Sequence, residues 1–588
     1  MNIYDARVEK LQAWMKANGI KSYVIPCTDP HMSEECCDHY LAERFYFCPF
    51  HGAGSLLVTL HHYYIYTDGR FWTEAEEVLK GTSCILVYAG KAGVPSMQQF
   101  IKENDLYPLG LDSSLFSLGE LRSFYLDEEK KIYHLSYRKH IENLPSMPKG
   151  KIFRLDDSLL TLSLRERVHN AFMEAKKVSA KALVVTMLDD VAYLLGYRGS
   201  DIECTPVFYS YGYIDESENF HLFIDLEKLP EDFQEDGVIV HPYDEFIPFL
   251  QERKDIPTSI DPVLTNSFIC SKLTRPIYQA SPVYNQKAIK GKVEIENTKR
   301  IQAIDGIAVL KLMKYVDDHL EDGDLNEYSL ACYLDEERKK HPLCFDLSFP
   351  TIAAVDSNAA MMHYAPSQTV HSPLTKDNQL LLVDSGGQYY GGTTDTTRTF
   401  LTSENVSDEV KTAYTLTLKS QIALSTVIFE KGCSGVSLDI LARQVMWKEG
   451  LDYKCGTGHG VGYISCVHEG PVSFRYHNRP GTSDGQILTP GNIITIEPGV
   501  YKAHKFGIRL ENDALVVPAF ETEDGIFYKL EMITYCPYDR RGIKLEMLTE
   551  EEIAWVDNYH QQVYTLLAPL CDDDALLSYL KKQCAPLR

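Results

Sequence analysis

The stretch Leu380-Leu-Leu-Val-Asp384-Ser-Gly-Gly-Gln-Tyr-Tyr-Gly-Gly-Thr-Thr-Asp395-Thr-Thr-Arg-Thr-Phe400 constrains the fold more than any other part of the chain. Leu380 to Val383 is short, apolar and soon followed by glycine, which predicts a buried strand. Gly386-Gly387 and Gly391-Gly392 bracket two tyrosines and give the chain a place to reverse. The largely β-branched run from Thr393 to Phe400 then returns beside the first strand. That path carries Asp384 and Asp395 towards each other inside an apolar core. Two bare carboxylates there repel and cannot both stay ionised near neutral pH, so a cation belongs between them. The competing reading is a pair of acidic turn residues.

Two later stretches decide against turns. Cys455-Gly-Thr-Gly-His459-Gly-Val-Gly surrounds one imidazole with glycines that let backbone approach closely, and His468-Glu-Gly-Pro follows it. Asn492-Ile-Ile-Thr-Ile-Glu497-Pro-Gly-Val-Tyr501 and Phe506-Gly-Ile-Arg509-Leu-Glu511-Asn have the same strand-turn-strand look, with one glutamate in each arm. Asp384, Asp395, Glu497, Glu511 and His459 therefore offer four carboxylates and one imidazole. Such a set suits two divalent ions with bridging carboxylates, since four negative charges balance two doubly charged ions. Rich in oxygen, with one nitrogen and no thiolate, it favours Mn²⁺ or Co²⁺ over a structural zinc. Arg509 alternates in strand register with Glu511 and can orient Asp384 through a bidentate pair.

In this order and these contexts the five residues resemble the pita-bread metallopeptidases, which include methionine aminopeptidase, prolidase and aminopeptidase P. Asp346-Leu-Ser-Phe-Pro-Thr, His363-Tyr-Ala-Pro, Val383-Asp-Ser-Gly, Gly392-Thr-Thr-Asp, Gly458-His-Gly-Val-Gly and His468-Glu-Gly-Pro resemble the three-domain, cytosolic type of aminopeptidase P. Asp29-Pro-His, Tyr66-Thr-Asp-Gly-Arg70 and Tyr197-Arg-Gly-Ser-Asp201 extend the likeness over nearly the whole chain. The resemblance implies hydrolysis of the bond between an N-terminal residue and a following proline, by a hydroxide bridging two divalent ions. Manganese is the first expectation for those ions, with cobalt or zinc as alternatives. It further implies that Asp395 and Glu511 bridge the ions, that Asp384 completes one, and that His459 and Glu497 complete the other. Glu497 would also shuttle the proton, while His363 and His468 bind substrate and stabilise the developing oxyanion. Tyr501 would line the pocket, and Arg70 would touch substrate or a partner subunit. One departure stands out: Cys455 lies where related enzymes often carry a histidine, and a thiol is a weak hydrogen-bond group. Two alternatives remain, a prolidase that cleaves only dipeptides and a non-catalytic peptide-binding module on the same fold.

Organisation follows from the alternation of elements along 588 residues. Helix and strand patterns cycle twice, predicting an α/β domain over 1–148 and a related one over 149–290, with Pro145, Pro148 and Gly150 at the boundary. From 291 to 588 amphipathic helices enclose antiparallel hairpins, an α+β pattern that the resemblance sharpens to a pita-bread catalytic domain with a C-terminal helical extension. In the third region, Ile301, Ile304, Ile307, Leu310 and Leu312 mark a helical stripe, and Ser407-Asp-Glu starts a helix that Gly432 can end. Arg198, Asp201 and Glu203 read as an ordinary surface salt-bridge cluster, with a substrate-side role for their loop as the alternative. A formal net charge of −25 speaks against nucleic-acid or acidic-membrane partners. Fifteen scattered cysteines fit reduced thiols better than a disulfide framework. With no apolar run near the ~18 residues of a membrane span, and charges at the N-terminus, the expectation is a cytoplasmic protein, and the resemblance adds a homodimer.

Overall fold

The structure, a computed structural model, describes residues 2–124, 131–403, 405–477 and 485–588. The backbone divides into two compact units, one of Met1–Leu155 with Leu162–Gln286, the other of Asp156–Thr161 with Lys287–Arg588.

The first unit holds two six-stranded mixed sheets. From one edge, the first runs Ile85–Tyr88, Tyr63–Thr67, Ser55–Thr59, Ser22–Ile25, Leu109–Leu111, Ile132–His134. The second runs Val238–Pro242, Phe220–Ile224, Ser210–Ile214, Ala182–Val185, Thr258–Ile260, Pro276–Tyr278. Each parallel or antiparallel pairing of the first recurs at the same place in the second, so the two sheets share one topology. A sheet with parallel strands needs cover on both faces. Strand periodicity supplies it: Tyr23, Ile25, Leu56 and Val58 join one core with Leu11 and Met15 of the first helix, whereas Val24, Leu57, Tyr66 and Leu111 join another with Ile101 and Phe124.

Asp29-Pro-His is a clasp within this unit. His31 is fully buried and stacks on Tyr211 at 4.1 Å. Its Nδ1 donates to the Thr186 carbonyl at 2.7 Å, which leaves Nε2 to accept from the Tyr243 hydroxyl at 2.8 Å. Arg198 and Asp201 correct the surface-salt-bridge reading, because both are buried. Asp201 accepts from Lys228 and from the Tyr209 amide, and Arg198 donates to the Ala192 and Tyr197 carbonyls.

Glu43 gives the first unit a pH-dependent stability. Its side chain is buried beside the Tyr23 hydroxyl. Burial pushes its carboxyl up to about 7, only partly countered by Arg138 and reinforced by Asp112. The folded state therefore holds a proton that the unfolded chain releases, and stability falls as pH rises from the ordinary 4.5 through about 7. Glu43→Gln is expected to melt above the native protein at pH 8.5, by the equivalent of about 3 kcal/mol, with the gap closing towards pH 5. Thermal melts at the two pH values check this, and a gap independent of pH contradicts it.

The second unit wraps six helices of ten or more residues around antiparallel hairpins, counted among the described residues. Helix Lys292–His319 buries Ile301, Leu310 and Leu312 as its pattern predicts, but Ile304 and Ile307 only half. Gln302 and Asp305 take the inner positions instead. Asp305 can be there because Arg338 grips it through two bonds of 2.8 and 3.1 Å and the Tyr389 hydroxyl adds a third at 2.6 Å. The helix that begins at Asp408 ends at Ser425, not near Gly432, because Ile428–Glu430 leaves it to pair with Gly525–Met532.

Candidate metal centre

Two hairpins bring the acidic residues together. Leu380–Ser385 pairs with Thr396–Leu401 in the register Asp384↔Thr397, and Ile352–Val355 flanks the outer side. The reversal between them is tight: Tyr389 pairs with Gly392, and a Cβ at Gly386 would lie 1.9 Å from the Thr394 carbonyl oxygen. In the second hairpin Ile496 pairs with Asn512 and Gly499 with Arg509. Glu497 and Glu511 fall in the break between those pairings, where strand hydrogen bonding lapses and side chains can turn to one point.

His459 arrives from a third pair, Gly458–His459 with Ser473–Phe474. The close approach here requires glycine, since a Cβ at Gly458 would sit 1.8 Å from the Thr495 oxygen. His459 Nδ1 donates to the Gly460 carbonyl at 3.0 Å. That bond fixes the tautomer and leaves Nε2 as a lone pair, 3.4 Å from Asp395 Oδ2 and 3.7 Å from Glu497 Oε1. Asp395, His459 and Glu511 each place a ligand atom within 4.8 Å of the others. Thr397 holds Glu511 from behind by donating to its Oε2 at 2.6 Å. Arg509 donates to Asp384 Oδ2 and, through Nη1, to the Tyr501 hydroxyl at 2.9 Å. The pair with Asp384 runs through one guanidinium nitrogen rather than two, because Nε instead donates to Thr397 Oγ1 at 3.1 Å.

The electrostatics fit a cation. Asp395 and Glu511 are 4% and 2% exposed. Burial first, then mutual repulsion with Asp384 and Glu497, pushes both carboxyls far above the usual range. Asp384 Oδ1 is buried with no hydrogen-bond partner among the described residues. Four converging carboxylates, an orphaned oxygen and a presented imidazole form a donor set for divalent ions.

The remaining predicted residues lie around this set or away from it. The His468 ring meets His459 edge to face at 4.3 Å. Its neighbour Glu469 is buried between Lys290 and Lys287, whose Nζ atoms face opposite carboxylate oxygens. His363 is exposed on the loop after Ile352–Val355, and the Met362 carbonyl beside it accepts from Arg509 Nη2 at 3.5 Å. Cys455 is half-buried, its carbonyl accepting from Arg443 at 2.7 Å. Arg70 belongs to the first unit and is gripped there by Asp68 through two bonds of 2.9 Å.

Sequence reasoning missed three buried polar residues here. Among the described residues Arg398 has no carboxylate partner; it donates to the carbonyls of Thr397, Glu511 and Cys536, to Asn512 Oδ1 and to the Tyr559 hydroxyl, tying the strand of Glu511 to the hairpin of Asp384. An arginine within an otherwise strand-like Thr run was the available signal. Asp513, fully buried, accepts from Gln302 and adds a further carboxyl whose neighbours include Asp395. Glu327, at the start of helix Glu327–Lys339, carried no signal beyond its place near a helix N-terminus.

Paired hairpins enclosing a buried carboxylate–imidazole cluster define a metallohydrolase of the pita-bread class. Comparison with known proteins narrows the class. The pattern of metallopeptidase family M24 matches residues 296–518, and that of the C-terminal region of the same peptidases matches 526–587. The creatinase/prolidase N-terminal domain matches twice, over 7–128 and 143–294. Xaa-Pro aminopeptidase 1 of Dictyostelium discoideum is 33% identical across 99% of this chain and 96% of its own. A probable Xaa-Pro aminopeptidase P of Pyrenophora teres f. teres is 35% identical across 99% and 92%. An X-prolyl aminopeptidase from Caenorhabditis elegans, described as a cytosolic enzyme with a di-nuclear active site, superposes with a TM-score of 0.92 at 29% identity, covering 99% of each chain. The chain belongs to metallopeptidase family M24, among the Xaa-Pro aminopeptidases of the aminopeptidase P type.

Proposed function

We propose that this protein is a metal-dependent aminopeptidase that hydrolyses the bond between an N-terminal residue and a following proline. The observation that carries the reading is the meeting of Asp395, His459 and Glu511 within ligand distance, with Asp384 and Glu497 beside them. In this reading those five residues would hold two divalent ions, manganese first, with Asp395 and Glu511 serving both. When bound, such ions supply an ionised water near neutral pH and a Lewis acid for the peptide carbonyl.

The protein's own groups do the rest. Glu497, the most exposed of the four carboxylates at 21% of its side chain, takes a proton on a carboxylate oxygen and returns it to the leaving nitrogen. His363 and His468 hold the substrate and donate towards the carbonyl oxygen as it gains charge. Arg509 keeps Asp384 and Tyr501 in place. Residues 1–148 and 149–290 form the two N-terminal domains in this scheme, and 291–588 the catalytic domain; Arg70 stays a candidate contact for substrate or partner subunit. The cytoplasm as location is supported by the Caenorhabditis enzyme and by fifteen cysteines scattered through the sequence without the spacing of a disulfide framework. No helix among the described residues is long and apolar enough to cross a membrane. The homodimer rests on the family resemblance, and the exposed side chains of Ile440, Leu441 and Trp447 on one helix supply an apolar surface for it.

The dipeptidase alternative is not favoured, since the full-length relatives are aminopeptidases. Incubation with an Xaa-Pro-Xaa tripeptide and an Xaa-Pro dipeptide tests this, with product release followed by mass spectrometry. Release of the first residue from the tripeptide is expected. Cleavage of the dipeptide alone overturns the reading.

Cys455 gives a smaller prediction. Its backbone carbonyl is held by Arg443 and its side chain borders the same apolar cluster as Tyr501. Cys455→Ala is expected to lower kcat/KM by less than about threefold, an effect of the size of a weak thiol contact. Cys455→His should be tolerated and raise activity, by adding an imidazole at this place. Steady-state kinetics check both, and an alanine variant as damaged as His363→Ala contradicts them.

A further inference from the structure

We propose that Glu327 is a positioning residue that holds the His363 loop over the carboxylate cluster. The inference rests on the role given to His363 above. The Glu327 carboxylate is fully buried, yet among the described residues it has no cationic hydrogen-bond partner. Among the described residues, every donor that reaches it comes from the single segment 355–372 that carries His363. The Val355 amide donates at 2.6 Å and the Ser372 amide at 2.6 Å, so one carboxylate pins both ends of that segment. Asn358 Nδ2 donates at 2.9 and 3.1 Å, and the hydroxyl of Tyr364, the residue next to His363, at 2.7 Å. The Glu327 amide completes the clamp by donating to the Ser372 carbonyl at 3.1 Å.

A buried anion held by so many directed donors is costly to rearrange, because each freed donor is left without a partner. Its charge also matches its place, at the first turn of a helix where a carboxylate is favoured. On the far side of the same loop, the Met362 carbonyl rests on Arg509, the arginine that holds Asp384. His363 thus sits between two fixed points, one on each flank, although its own imidazole is exposed. A loop residue can stabilise a developing charge only if its position is settled before the reaction, and Glu327 settles it.

Glu327→Gln keeps the shape but turns one acceptor oxygen into a donor that faces backbone amides. Its kcat on an Xaa-Pro-Xaa tripeptide is expected to fall roughly ten- to a hundredfold, with KM within about threefold of native. Metal content of the purified, manganese-loaded protein should be unchanged. The decisive comparison is a double-mutant cycle: in the His363→Ala background Glu327→Gln should cost less than about twofold, because the group it positions is gone. If Glu327→Gln does not fold, Tyr364→Phe removes one donor only and carries the same cycle, with a smaller kcat loss that again disappears in the His363→Ala background. An undiminished loss in that background overturns the proposal alone, as does loss of metal, which would place the effect on Arg509 and Asp384. A His363→Ala enzyme with native kcat overturns the role of His363 and the proposal with it.

Discussion

Asp395→Asn is expected to abolish peptide hydrolysis while the protein stays folded. The amide has the volume and shape of the carboxylate, so the hairpin from Leu380 to Leu401 keeps its packing. What it loses is the charge of a group that is 4% exposed, 3.4 Å from His459 Nε2 and surrounded by other carboxylates. In the proposed function this buried carboxyl balances cations, and a neutral amide in its place would not. At least one metal equivalent should be lost, and turnover should drop on the order of a thousandfold or more. Circular dichroism, metal analysis and single-turnover assays check the three parts. Turnover within a few fold of native at saturating Mn²⁺ contradicts the assignment of Asp395.

His363→Ala should act on the chemical step and leave the metals alone. His363 lies outside the five-residue set, on a loop whose fixed points are Glu327 and Arg509. A donor that strengthens its bond as the carbonyl oxygen gains charge contributes to kcat much more than to KM. Loss of one such donor in comparable sites costs about 2.7–4 kcal/mol, a hundred- to a thousandfold in rate. Steady-state kinetics on a tripeptide, with metal content measured on the same preparation, separates the outcomes. A variant that loses metal, or one whose defect lies wholly in KM, contradicts the role.

The two variants also mark how far the sequence is legible. Asp384, Asp395, His459, Glu497 and Glu511 can be read because each interrupts an apolar or glycine-rich run, where a carboxylate or imidazole needs a reason. The repeated sheets of the first unit are legible as alternating elements, yet their identical topology is not, since register depends on pairings between residues far apart in the chain. Asp201 reads as exposed for a related reason: Lys228, which compensates its buried charge, lies 27 residues further along the chain. Helix Lys292–His319 shows the limit of periodicity, because Asp305 occupies an inner position that only Arg338 and Tyr389 explain. Glu327 was invisible for a related cause. Two of its four donors are backbone amides, which every residue has, and the other two, the Asn358 and Tyr364 side chains, lie 31 and 37 residues away.

In the proposed function one cluster of five side chains holds two divalent ions, and peptide hydrolysis depends on them. Calorimetric titration of the metal-stripped protein with Mn²⁺, with tripeptide hydrolysis read at each point, tests it most directly. The account predicts a stoichiometry of two per chain and activity that rises with occupancy, both lost in Asp395→Asn. Full hydrolysis by the stripped protein in the presence of chelator, or no uptake of Mn²⁺ by the native chain, would contradict it.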